Sequence, residues 1–180
     1  WTYSCRQVHD VCPAFERTFF GRYAWKMGLK GISLWRYCDD MTFYDRFGRR
    51  HGYTEGFCFP SDWRHMYGHV CFEGGEVVPS VTWESVREGI DDYRYMLTLK
   101  KAAEAAGSSR SSAARAAGGA GLKLLDEIAD RTLIIADDVK YGRAWSQLGD
   151  MDQDRADVIH AILKIHDTDP TITLNDSLLL

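Results

Sequence analysis

Trp35, Tyr37 and Asp39 close the run Gly31-Ile-Ser-Leu-Trp-Arg-Tyr-Cys38 and the acid pair that follows it, Asp39-Asp40. In an extended strand, alternation puts Ser33, Trp35 and Tyr37 on one face. An indole offers a flat apolar platform to the C–H patches of a sugar, and a carboxylate accepts from its hydroxyls. Trp35, Tyr37 and Asp39 are therefore candidate binding residues, an aromatic platform beside a carboxylate. Trp1 and Tyr3 share a face of an earlier short run, Trp1-Thr-Tyr-Ser-Cys5, and are candidates for the same wall. The opposing reading makes Trp35 a core residue and Asp39 or Asp40 a loop cap.

Two further clusters raise metal binding: Cys5, His9 and Cys12, and His65, His69 and Cys71. Zinc sites favour cysteine pairs two to four residues apart and four ligands in all, and neither cluster meets both conditions. No metal site is predicted. No Gly-rich phosphate loop, serine nucleophile elbow or Cys-x-x-Cys is present, so no cofactor is expected either. The odd count of five cysteines argues against a closed disulfide framework.

Several elements must position these residues. Trp1–Cys5 reads as a strand. Pro13 opens a helix carrying Phe15, Phe19 and Tyr23 at helical spacing, and Gly28 ends it. The second strand follows at 31–38, so strand, helix and strand form a βαβ unit with parallel strands. Residues 41–78 show no sustained period, except for a hairpin expected where Gly74-Gly75 separates His69–Glu73 from Glu76-Val-Val. Ser80 caps a strong helix whose apolar stripe is Trp83, Val86, Ile90, Tyr93 and Leu97. Arg87 and Asp91 stand i,i+4 on its flank.

Composition divides the chain. Of 23 aromatic residues, 21 lie within 1–95, and all five cysteines lie within 1–71. Residues 101–121 are nearly all Ala, Gly, Ser and Arg, which reads as a flexible linker. Residues 122–180 then carry two helices with narrow apolar faces, around Leu125, Ile128 and Leu133 and around Val158, Ile159, Ile162 and Leu163. The net charge of −4 and pI of 5.9 provide no basic footprint for nucleic acid. No run of 18 apolar residues marks a membrane span. A first residue of Trp rather than Met suggests that the 180 residues begin inside a longer protein.

The run from Pro79 to Leu99 reads P-S-x-x-x-E-x-x-R-x-G-I-x-D-Y-x-Y-x-x-x-L. It resembles the closing helix of the catalytic domain of glycoside hydrolase family 123-like proteins. Trp25-Lys-x-Gly28 followed by Gly31-x-x-x-Trp35 fits the last helix and last strand of the same family. The resemblance covers roughly residues 1–100 and implies an α/β fold. On that basis the chain is the C-terminal fragment of a (β/α)8 barrel, with its last strands and closing helix, followed by an α-helical tail. A complete barrel needs roughly 250 residues and does not fit. The implied activity is hydrolysis of N-acetylhexosaminides, in which the substrate's own acetamide attacks the anomeric carbon and an adjacent Asp-Glu pair orients it and protonates the leaving oxygen. That pair belongs to a strand with no counterpart here, so no catalytic residue is carried over. The family leans towards a periplasmic or secreted location.

Glu84, Arg87 and Asp92 match the closing-helix motif, Asp91 stands beside them, and the expected role of all four is to hold helix to strand and cap loops. Asp126-Glu127 has the letters of the catalytic pair but belongs on a solvated helix face. The partner expected is therefore a carbohydrate substrate, with neither nucleic acid nor membrane. The alternative is a non-catalytic carbohydrate-binding or structural module.

Overall fold

The computed structural model describes residues 2–4, 13–34, 43–44, 50–51, 70–73, 76–79, 81–132 and 150–173. Helices dominate. A helical rod starts at Pro13, where the missing N–H costs nothing because the first turn has no acceptor to offer it. It runs as α1 (Pro13–Thr18), a π-helical turn (Phe19–Tyr23) and α2 (Ala24–Lys26). Phe15, Phe19 and Tyr23 stack in file, with ring centroids 5.6 and 5.4 Å apart. Gly28 terminates the rod at φ 59°. Its N–H donates to Trp25 O while Leu29 N–H donates to Ala24 O. This is a Schellman cap, which requires the left-handed conformation that glycine adopts without a Cβ clash.

Three long helices follow: α3 (Val81–Gly107), α4 (Ser112–Arg131) and α5 (Met151–Thr168). The Ser111 hydroxyl caps α4 by accepting from Ala114 N–H at 3.1 Å. Asp150 caps α5 by accepting from Asp152 N–H and Gln153 N–H. The main core lies where these three helices meet and includes Met96, Leu99, Ala103, Leu125, Ile128, Val158, Ile162 and Ile165. A second apolar layer, Phe15, Phe19, Phe20 and Ala24 with Val86, belongs to the rod and the first half of α3.

The strands are short. β1 (Thr2–Ser4) pairs in parallel with β2 (Ile32–Leu34). β3 (Phe43–Tyr44) pairs antiparallel with β4 (Arg50–His51). β5 (Val70–Glu73) pairs antiparallel with β6 (Glu76–Pro79), Glu73 facing Glu76.

The expected fragment of a (β/α)8 barrel is corrected by this arrangement. A barrel wall requires each strand to be hydrogen-bonded on both sides. Here the described strands form three separate pairs, and no third strand joins any of them. The described chain is instead a mainly helical bundle. Strand propensity marked the right short segments around β1 and β2, but membership of a sheet depends on distant partners that local composition does not specify.

The Ala/Gly/Ser-rich segment 101–121 also differs from the flexible linker expected there. α3 continues to Gly107 and α4 begins at Ser112, so only a short turn separates them. Ala102, Ala103, Ala106, Ala114 and Ala117 are buried in the same core as Leu125 and Ile165. Alanine is the best helix former, and small side chains let two backbones approach closely. A Cβ on Gly118 would stand 2.9 Å from Ala103 O, whereas one on Gly119 would meet nothing within 4 Å.

That contrast makes a prediction for neighbouring residues. Gly119→Ala is expected to raise stability by about 0.5–1 kcal/mol through lower helix and unfolded-chain entropy costs. Gly118→Ala gains the same propensity but must push α3 and α4 apart, an overpacking penalty of about 1–3 kcal/mol. Urea midpoints of the two variants should therefore move in opposite directions. Equal shifts would mean that α4 does not pack on α3 through Gly118.

The stripe expected on the third helix is also rotated in the structure. Val86 is buried, yet Ile90 is 38% exposed and Trp83, Tyr93 and Leu97 are only partly covered. The buried face is instead Thr82, Ser85, Gly89, Asp92, Met96 and Leu99. Ser85 and Thr98 hydroxyls donate back to Val81 O and Arg94 O, so they enter the interior without needing other partners.

Candidate functional site

Trp1, Trp35, Tyr37 and Asp39 lie outside the described residues, as do Asp40, Ser80, Leu133 and the Cys5, His9, Cys12, His65 and His69 clusters. Tyr3 sits on β1 opposite Ser33 of β2. Among the described residues, no group of three or more His, Cys, Asp or Glu side chains could hold a metal ion. None of the described helices is long and apolar enough to cross a membrane. Asp126 and Glu127 are exposed, and Glu127 pairs with Lys123, as a solvated helix face would have them.

The concentration of charge lies where the helical rod crosses α3. Gly21 and Gly89 bring the two backbones together: a Cβ on Gly89 would stand 2.6 Å from Arg17 O, and one on Gly21 would stand 2.9 Å from Gly89 O. This approach puts Asp92, one turn beyond Gly89, against Arg17. Arg17 Nε donates to Asp92 Oδ2 at 2.7 Å and its Nη2 to Oδ1 at 3.3 Å. Arg155 on α5 donates from Nε to the same Asp92 Oδ1 at 2.5 Å, and from its two terminal nitrogens to the Glu88 carboxylate and Glu88 O. The Arg155 guanidinium also stands 5.9 Å from the centre of the Tyr95 ring.

A second carboxylate repeats the pattern. Asp154 on α5 accepts from Arg22 Nη1 of the rod and from Arg131 Nη2 at the end of α4. Arg17 completes the link by donating to Asp152. Two carboxylates, each held by two arginines, thus tie the rod, α3, α4 and α5 together. Lys26 adds a charge-assisted bond, its Nζ donating to Thr132 O at the C-terminus of α4 at 2.8 Å. A cation suits that position because the last carbonyls of a helix carry partial negative charge.

The π turn sets up this arrangement. Residues five apart on an ordinary α-helix point in different directions, but the wider turn between Arg17 and Arg22 brings both towards α5. Burial acts most strongly on the Arg22 side chain, of which 4% is exposed, and lowers its pKa while the Asp154 charge pulls it back. For Arg17 burial also opposes the charge. There, the hydrogen bonds and charges of Asp92 and Asp152 outweigh burial and raise its pKa. Both guanidinium groups remain charged at any pH a folded protein meets.

The junction is a fastening and leaves no room for a substrate. The void bordered by Arg22, Asp92, Tyr95, Asp154 and Arg155 measures about 10 Å³, the space of one water molecule at most. Each of the two shared carboxylates is already held by two guanidinium groups, so neither is placed to move a proton to a ligand. The motif residues Glu84 and Arg87, with Asp91, form a partly exposed chain of ion pairs along α3, including Arg87 with Asp91 at 3.6 Å. Such pairs contribute about 0–1 kcal/mol. Asp92 differs from them in being buried, and it fastens helix to helix rather than helix to strand.

The arginines and Asp154 were missed in the sequence because their partners lie 23 to 135 residues away. One signal was available: Arg17 and Arg22 interrupt the aromatic file of a helix that is otherwise Phe-rich, and charges on such a face need partners.

Acid is expected to loosen the rim of the junction. Hydrogen bonding to Arg17 holds the Asp152 carboxyl below its ordinary value of 3.8. A lowered folded-state pKa contributes stability that is present above the unfolded value and lost as pH falls through the folded one. The urea midpoints of the parent chain and Asp152→Asn should therefore differ at pH 7 and converge below about pH 4. A difference that stays constant down to pH 3 would show that the Arg17 pair contributes nothing. No protein-family model, curated protein or solved structure matches this chain.

Proposed function

We propose that this chain is the C-terminal portion of a glycoside hydrolase acting on N-acetylhexosaminides, and that its helices brace that enzyme without supplying its catalytic acid. The supporting observation is what the motif-bearing helix does. Gly89 and Asp92, two fixed letters of the family-like pattern, are the residues through which α3 docks on the helical rod and on α5. Helix docking by these two letters accounts for part of the pattern without giving the helix a role in the chemistry. On this reading Trp35, Tyr37 and Asp39, with Trp1 and Tyr3, line the sugar site.

Glycosidic cleavage needs groups on both sides of the anomeric carbon, and a substrate acetamide replaces only the nucleophile. A protein acid must still reach the leaving oxygen. The 180-residue chain alone is therefore expected to give no turnover of nitrophenyl N-acetylgalactosaminide or N-acetylglucosaminide, whereas the longer polypeptide encoded by the same reading frame hydrolyses at least one of them. Turnover by the chain alone that disappears in Asp39→Asn/Asp40→Asn would make that pair catalytic and overturn the bracing role. Absence of turnover by the longer polypeptide on both substrates would overturn the hydrolase reading.

A further inference from the structure

We draw no further inference here: the strongest candidate, the apolar cleft between the helical rod, β2 and α3 lined by Phe20, Leu29, Ile90 and Tyr93, carries nothing because nothing among the described residues shows what covers it.

Discussion

Asp92→Asn is expected to destabilise the chain by about 3–5 kcal/mol, the usual cost of removing one member of a buried ion pair. The substitution keeps the side-chain shape but removes the charge that Arg17 and Arg155 share. One amide oxygen also accepts less well than a carboxylate from two guanidinium groups, and the amide's own N–H2 would face donors. Glu84→Gln serves as the control. It breaks an ion pair of the same motif whose partners are about half exposed, so its effect should stay within about 0.5 kcal/mol. Urea unfolding with an unchanged m-value measures both.

A loss at Asp92 below about 1 kcal/mol would show that the junction does not hold the helices together. The pair can also be examined by a double-mutant cycle. Arg155→Met removes one of the two orphaned charges, so Asp92→Asn combined with Arg155→Met should cost less than the sum of the single changes. Strict additivity would mean that the two side chains are not coupled.

Leu99→Ala should be the second large effect. Leu99 has no exposed surface and fills the notch between α3, α4 and α5. Truncating such a residue removes transfer free energy and leaves a cavity, costing about 2–5 kcal/mol. The structure adds a specific rescue. A Cβ on Gly121 would meet Leu99 Cδ1 at 2.9 Å and Ile165 Cδ1 at 3.6 Å. In the parent chain Gly121→Ala must therefore displace the Leu99 methyl and is expected to be unfavourable. Once Leu99 is alanine, the same methyl enters the cavity and its contribution changes sign. A Gly121→Ala effect identical in both backgrounds would place Leu99 elsewhere than against Gly121.

Local features were legible because they depend on neighbours in the chain. Pro13 and Gly28 mark the two ends of the helical rod, since one lacks an N–H and the other tolerates positive φ. The hairpin of β5 and β6 follows from the two residues left between its strands. The last helix, the part of α4 after Gly121 and the Arg87–Asp91 pair follow from 3.6-residue spacing.

Tertiary structure decided the rest. Glycine and alanine in 101–121 look like breakers and linkers when read one window at a time. Their small size becomes an advantage only when another helix lies within reach, as α3 does for Gly118. The same holds for the rotated face of α3: an apolar count favours Ile90, while the interior holds Ser85, Gly89 and Asp92, and at Gly89 the rod approaches too closely for any side chain. The fold class turned on the same point, since β1 and β2 as sequences do not say whether a third strand will bond beside them. A buried carboxylate shared by two arginines is a contest between desolvation and charge pairing. Its outcome depends on partners from Arg17 to Arg155 that only the folded chain brings together.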